Sequence, residues 1–304
     1  MRTIFRTFIL YSALASFVFC ADEKMLDWSK AQKIRKGVRL VHLELTEPRL
    51  MKVDIMRIDL SMQGLKITST QRDEDWGKPM PDCPKHPIRT RRQRTVDFMK
   101  DARKPAKNGG RGLEMIVAAN SSPWQPWEAP YTHKYADPVG LAITDGVVVT
   151  DNANGPPAVF VVWKNGDIDI VESIPKEQYG KVWLAANGFG ICLKDGKDCP
   201  DGGYEAPLMP RIVFGLSKDR HWMFIMTIDG RQKDWSLGAN GTDIKRLMRQ
   251  AGAWDAIDMD GGGSATLCWW DDEKGPVVVN RHTANGYTRP TGLNLGFYLL
   301  KKPR

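Results

Sequence analysis

The stretch TDIKRLMRQAGAWDAIDMDGGGSATL, residues 242–267, decides how this chain is read. In its first half Ile244, Leu247, Met248 and Ala251 recur at i, i+3, i+4 and i+7, the spacing of one buried helix face, and Thr242 stands where an N-cap hydroxyl would engage the first free amides. The second half changes period. In a strand over 256–260, Ile257 and Met259 face a core while Asp258 and Asp260 share the other face, roughly 6 to 7 Å apart along the chain. Like charges at that separation favour one protonated and one ionised carboxyl, the division of labour used in glycosyl transfer. Gly261, Gly262 and Gly263 follow, bringing bare amides within reach of an anion, and Ser264 adds a hydroxyl. A plain strand end with a glycine turn would read the same way. EF-hand spacing is absent, which argues against a calcium loop, and GGGS lacks the GxSxG elbow of a serine nucleophile.

Outward from this stretch the chain is dominated by strands. VRLVHLEL (38–45) alternates, with Val41, Leu43 and Leu45 on one face and Leu40, His42 and Glu44 on the other, and MKVDIMRIDL and LKITST continue an antiparallel meander to Thr70. Residues 73–87 read as a polar, Pro-rich loop. Thr95–Arg103 reads as a helix ending before Pro105, and MIVAAN as a strand ending at Asn120. Further strands are expected at LAITDG with VVVT, AVFVVW, DIDIVES, VWLAANGF, RIVFGLS and WMFIMTID, most joined by Asp-Gly, Asn-Gly or Lys-Asp turns. The expected fold class is α+β: mixed, largely antiparallel β-sheets with a few flanking helices, in one domain over 21–304.

Composition excludes other classes. With 42% apolar residues and 11 Trp among 304, the chain is neither disordered nor low in complexity. The 44 Lys and Arg exceed the 36 Asp and Glu by 8, but ten cations against Asp97 and Asp101 fall between Lys85 and Arg111, so the excess is local. It reads as a solvated face or an anion site; a nucleic-acid partner is not expected. Arg2 and Arg6 precede an apolar run from Thr7 to Phe19 and small Cys20 and Ala21, the pattern of a signal peptide over 1–20. Cleavage there leaves a secreted or periplasmic protein without a membrane anchor. Four cysteines then remain, and Cys192 and Cys199, on a strand that turns at Asp195-Gly196, are the natural disulfide candidates. CxxC and HExxH are absent and His42, His86, His133, His221 and His282 stand apart, so no metal site and no cofactor are expected, although a divalent cation is not excluded. Asn120-Ser-Ser and Asn240-Gly-Thr fit the glycosylation sequon.

Other polar groups sit at strand ends, where a scaffold presents them. Arg211 opens RIVFGLS, and Asp229-Gly-Arg231 follows WMFIMTI; guanidinium forks suit phosphate oxygens. Trp124, Trp127 and Tyr131 after Asn120 suit stacking on sugar faces, or simple burial. In order and spacing, PRIVFGLS, TIDGR, the capped helix, GAWDAIDMDGGGSATL and VVVNR resemble the phosphodiester glycosidase family, and TVDFMKDARK, MIVAAN and GLAITDGVVV resemble it more loosely. The resemblance implies hydrolysis of a sugar-1-phosphodiester and nominates Asp258 and Asp260 as catalytic residues. It nominates Asn120, Arg211, Asp229, Arg231, Gly261, Gly262, Gly263 and Ser264 as substrate-binding positions. In that scheme Asp260 is nucleophile or base and Asp258 its partner, Arg211 and Arg231 hold phosphate, and Asn120 orients the sugar. The chain departs from the pattern after Asn120, where Asn-Ser-Ser-Pro-Trp replaces Asn-Gly-Gly with two aromatics, and this favours an alternative: a glycan or envelope-polysaccharide binder without turnover.

Overall fold

Val38–Leu45 pairs antiparallel with Met51–Asp59 along its whole length, and that hairpin begins an eight-stranded sheet. Its order is Gln32–Arg35, Val38–Leu45, Met51–Asp59, Trp222–Ile228, Arg211–Leu216, Asp255–Asp258, Gly190–Lys194, Lys197–Asp198. The computed structural model describes residues 24–128, 132–152, 154–200, 207–283 and 288–300; the signal peptide over 1–20 and Tyr131 lie outside the described residues. Every strand pair among them is antiparallel, and sheet greatly exceeds helix, so the expected α+β class holds in its sheet-rich form.

Both faces of this sheet are covered, which explains why its strands carry apolar residues at successive positions. Leu40, Met56, Phe214, Ile225, Ile257 and Met259 enter the largest core cluster, whereas Leu43, Met51, Val213, Phe224 and Ala256 pack on the opposite side with helix α2 (Gly241–Ala251). Ile257 and Met259 thus face the central core as their period predicts. The large cluster is closed by two five-stranded sheets. One runs Gly275–Val278, Leu267–Asp271, Glu114–Asn120, Asn294–Leu299, Leu65–Ser69, and the other Val147–Asp151, Leu141–Thr144, Val182–Asn187, Val159–Trp163, Ile168–Val171. Phe160 and Phe214 meet edge to face across it, 5.7 Å between centroids. Helix α1 (Thr95–Arg103) lays Phe98, Met99 and Ala102 on the outer side of the Glu114–Asn120 sheet.

Four local expectations change. The cap of α2 is Asn240, not Thr242: the Asn240 side chain accepts from the Asp243 amide while the Asp243 carboxylate accepts from the Asn240 amide, so the reciprocal pair fixes the start two residues earlier and leaves Thr242 exposed. The strand holding Asp258 ends at that residue instead of running to Asp260. Within the supposed loop 73–87, Pro79–Met80 and Cys83–Pro87 pair as a short hairpin. Cys192 and Cys199 are both free thiols: the Cys199 amide donates to the Cys192 carbonyl at 3.0 Å, but Cys192 is turned into the α2-side core while Cys199 stays half-buried.

Because the cap belongs to Asn240, Asn240→Ala is expected to lower stability by about 1 kcal/mol, while Thr242→Ala stays within about 0.5 kcal/mol of the parent. Urea unfolding of the two variants checks this, and the reverse order would place the helix start at Thr242.

Candidate functional site

The segment Met259–Thr266 crosses from the eight-stranded sheet to the sheet holding Leu267–Asp271, and its polar groups are held at several points. The Met259 amide donates to Ile212 O, the Asp260 amide to Ser121 O and the Gly262 amide to Pro210 O. Asn120, 0% exposed, donates from Nδ2 to Asp260 O at 2.5 Å and accepts at Oδ1 from the Thr266 amide at 2.8 Å. It therefore clamps both ends of the glycine segment, and its side chain is committed to backbone instead of being offered to a sugar. Burial in this role also encloses the Asn120 side chain that the sequon would offer as a glycan acceptor. Asn280 secures the far end, donating to Ala265 O and accepting from the Leu267 amide.

The two aspartates occupy different environments. Asp258 Oδ2 receives Arg211 Nη1 at 2.8 Å; Arg211 is only 2% exposed and also donates to Ala239 O and Pro207 O. Arg211 is thus within the site, but its guanidinium is spent on Asp258 and on carbonyls. Asp258 borders a cavity of about 800 Å³ whose wall includes Phe189, Gly190, Lys194, Cys199 and Ile244. Asp260 lies one extended step beyond the strand. Burial pushes its pKa up to about 7, the nearby charge of Asp258 adds to the rise, and Ser264, Arg289 and Trp124 pull the other way. Asp260 Oδ2 and Ser264 Oγ are enclosed, and neither has a hydrogen-bond partner among the described residues.

Cations line the glycine segment. A Cβ on Gly262 would stand 3.5 Å from Arg231 Nη1, and one on Gly263 would stand 2.6 Å from Arg289 Nη2. Gly262 has φ +59, the left-handed region, and only a glycine there keeps both the backbone unstrained and the Arg231 side open. The expected nest of open amides is narrowed, because the Gly262 amide is already engaged by Pro210 O. Arg289 also lies over the Trp127 ring, 4.8 Å to its centroid, and Trp127 meets Trp124 edge to face. Trp127 stays 54% exposed, whereas Trp124 is buried.

Asp229 is not brought to Asp260. Its carboxylate accepts from Trp235 Nε1 at 2.6 Å and from the Arg281 amide at 2.9 Å, in a small pocket with His42 and Asp54. It supports the site from behind, through the 280–281 segment that carries Asn280. Arg289 and His282 stand outside the site residues expected from sequence; His282 is buried beside Ala265, and burial lowers its pKa. Arg289 fits no motif in the sequence. The basic stretch forms a groove of about 980 Å³ along α1, where Arg94 pairs with Asp97, Lys104 with Asp101, and Arg111 with Asp145.

Comparison with known proteins settles what this arrangement belongs to. The phosphodiester glycosidase family matches residues 117–298. The chain belongs to the phosphodiester glycosidase family. Among solved structures, the catalytic domain of zebrafish N-acetylglucosamine-1-phosphodiester alpha-N-acetylglucosaminidase, auto-inhibited by its pro-peptide, is 15% identical, with TM-score 0.61 over 87% of this chain and 83% of that one. A hypothetical protein from Synechocystis is 8% identical, with TM-score 0.59 over 87% and 62%. At such identities the likeness shows the fold alone. No curated protein matches the chain. Among the described residues, no helix is long and apolar enough to cross a membrane.

The glycines separate stability from site chemistry. A Cβ on Gly261 would stand 2.5 Å from the Pro210 carbonyl oxygen, a backbone atom, so Gly261→Ala is expected to cost about 1–3 kcal/mol in denaturant unfolding. Gly263→Ala meets only the movable Arg289 side chain, and should leave the unfolding midpoint nearly unchanged while displacing that guanidinium. Since Arg289 lowers the Asp260 pKa, Gly263→Ala and Arg289→Gln should both move the Asp260 titration above about 7. Carboxyl NMR reads this directly; an unmoved midpoint would separate Arg289 from Asp260.

Proposed function

We propose that the protein is an exported hydrolase that cleaves the bond between the anomeric carbon of a sugar and a phosphate oxygen in a sugar-1-phosphodiester. The observation that carries this reading is Asp260, a half-buried residue with Oδ2 enclosed and its pKa pushed up to about 7, set beside two guanidinium groups on a glycine segment. Membership of the family supports the reaction class. The run from Arg2 to Ala21 supports export.

A phosphate leaves readily once its charge is met, so the leaving group needs cations more than a proton. Arg231 and Arg289 serve as those cations, with Ser264 Oγ as a further donor. Asp260 acts as the base. It takes a proton from water as the water oxygen bonds to the anomeric carbon, and the carbon–oxygen bond breaks with its electron pair going to the phosphate monoester. Burial of Asp260, with a smaller contribution from nearby Asp258, keeps the base able to accept a proton near pH 7. Trp127 offers the exposed face on which a sugar ring would stack.

The sign of the pH dependence follows from this role. The ionised form of Asp260 is the active one, so kcat/KM should rise with pH through about 7 instead of through the ordinary carboxylate range. Asp260→Asn should reduce release of free sugar from a sugar-1-phosphodiester at least about a hundredfold while the protein stays folded. Unchanged turnover in that variant, or a limb near pH 4, would remove the mechanism. The exposed Trp127 also suits a glycan binder without turnover; that reading predicts calorimetric binding of a polysaccharide by the parent and no sugar release from any member of a phosphodiester panel.

A further inference from the structure

We propose that Cys83, His86 and Glu128 form a zinc-binding site that ties the Pro79–Pro87 hairpin to the segment carrying Trp124 and Trp127. One potential ligand atom from each of the three side chains lies within 4.8 Å of the others. Cys83 Sγ stands 3.1 Å from Glu128 Oε1. Around a tetrahedral zinc ion, with bonds of about 2.3 Å to sulfur and about 2.1 Å to oxygen, two such ligands sit about 3.6 Å apart, so this pair is already near ligand-to-ligand spacing. Cys83 and His86 are three residues apart on one strand and make a local chelate; Glu128 comes from a distant part of the chain.

The surroundings point the same way. A cavity of about 530 Å³ is lined by Asp82, Cys83, Glu128 and His133. His133 is nine-tenths buried; its Nδ1 lies 2.7 Å from Asp82 Oδ2, and its buried Nε2 has no hydrogen-bond partner among the described residues. Lys85 places its ammonium 3.0 Å from Glu128 Oε1, where it meets the negative charge in place of a metal. A thiolate, an imidazole and a carboxylate together suit zinc and not magnesium or calcium, which require oxygen donors throughout.

The hairpin's own apolar cluster is Met80, Cys83, Ile88 and Tyr135, so a metal tie would add to the backbone hydrogen bonds that hold it at Gly77, Ile88 and Arg89. A zinc bond to Glu128 would fix the residue next to Trp127, whose ring lies under Arg289. With three protein ligands the ion would keep a water in its fourth position; in this proposal it ties the two segments together and takes no part in bond cleavage, so its test needs no substrate and stands apart from the glycosidase reading.

The test is titration of the metal-free full chain with zinc against a chromophoric chelator, and with cobalt as a spectroscopic probe. One zinc per chain and a thiolate-to-cobalt charge-transfer band are expected. Cys83→Ser should abolish the band, and His86→Ala, on a half-buried side chain, should weaken zinc binding at least about a hundredfold. Glu128→Gln should weaken it at least about tenfold. Lys85→Ala, which removes the competing ammonium, should tighten it. Absence of stoichiometric binding at micromolar zinc overturns the proposal, as does a charge-transfer band that survives in Cys83→Ser or an affinity unchanged in His86→Ala.

Discussion

The fold and the site both depend on how one short segment crosses between two sheets. Residues 259–266 leave the eight-stranded sheet at Asp258 and enter a five-stranded sheet at Leu267, and a crossing that deep strands backbone groups away from water. Each such group left unpaired costs free energy, so the crossing is possible only where side chains complete the pairing. Asn120 does this twice, at Asp260 O and at the Thr266 amide, and Asn280 does it twice more, at Ala265 O and the Leu267 amide. An amide side chain suits the task because it carries a donor and an acceptor on one rigid plane. The glycine segment is thereby fixed, and with it the places where Arg231 and Arg289 approach.

The same crossing separates the two carboxylates in character although they are two residues apart. Asp258 is still within the sheet and meets Arg211 from the neighbouring strand, a buried pair with further hydrogen bonds to carbonyls. Asp260 has left the sheet and finds no cation at hydrogen-bonding distance, so desolvation governs it and its pKa rises. Burial of an ion pair does little for net stability, but it places a fixed charge close to a second, titrating group. The Asp258 charge adds only a small rise beside the desolvation of Asp260.

Much of this was legible in sequence and some was not, for physical reasons. Period two in VRLVHLEL and AIDMD reported correct faces because each face meets a core; the alternation of Ile257 and Met259 with Asp258 is visible without coordinates. Periodicity carries no information about which sheet a strand joins, so the alternation runs on to Asp260 although the chain leaves the sheet after Asp258. The hydroxyl of Thr242 lies closer to the apolar period, but Asn240 and Asp243 have the three-residue spacing of a capping box, and the reciprocal pair decides the helix start. Arg289, His282 and Glu128 lie far along the chain from what they approach, and contacts of that kind leave no local pattern.

The departure from the family pattern after Asn120 gains a physical meaning from these contacts. Serines stand where glycines are usual, and Ser121 is bound on both sides: its carbonyl accepts from the Asp260 amide, while its amide and hydroxyl donate to Leu293 O. Ser121 and Ser122 are wholly buried, so the segment is drawn inward and delivers Trp124 to the neighbourhood of Asp260. Desolvation raises the carboxyl pKa there, and the Ser264 hydroxyl, the Arg289 charge and the Trp124 N–H pull it back to about 7. The altered residues are therefore part of the environment of the Asp260 carboxyl.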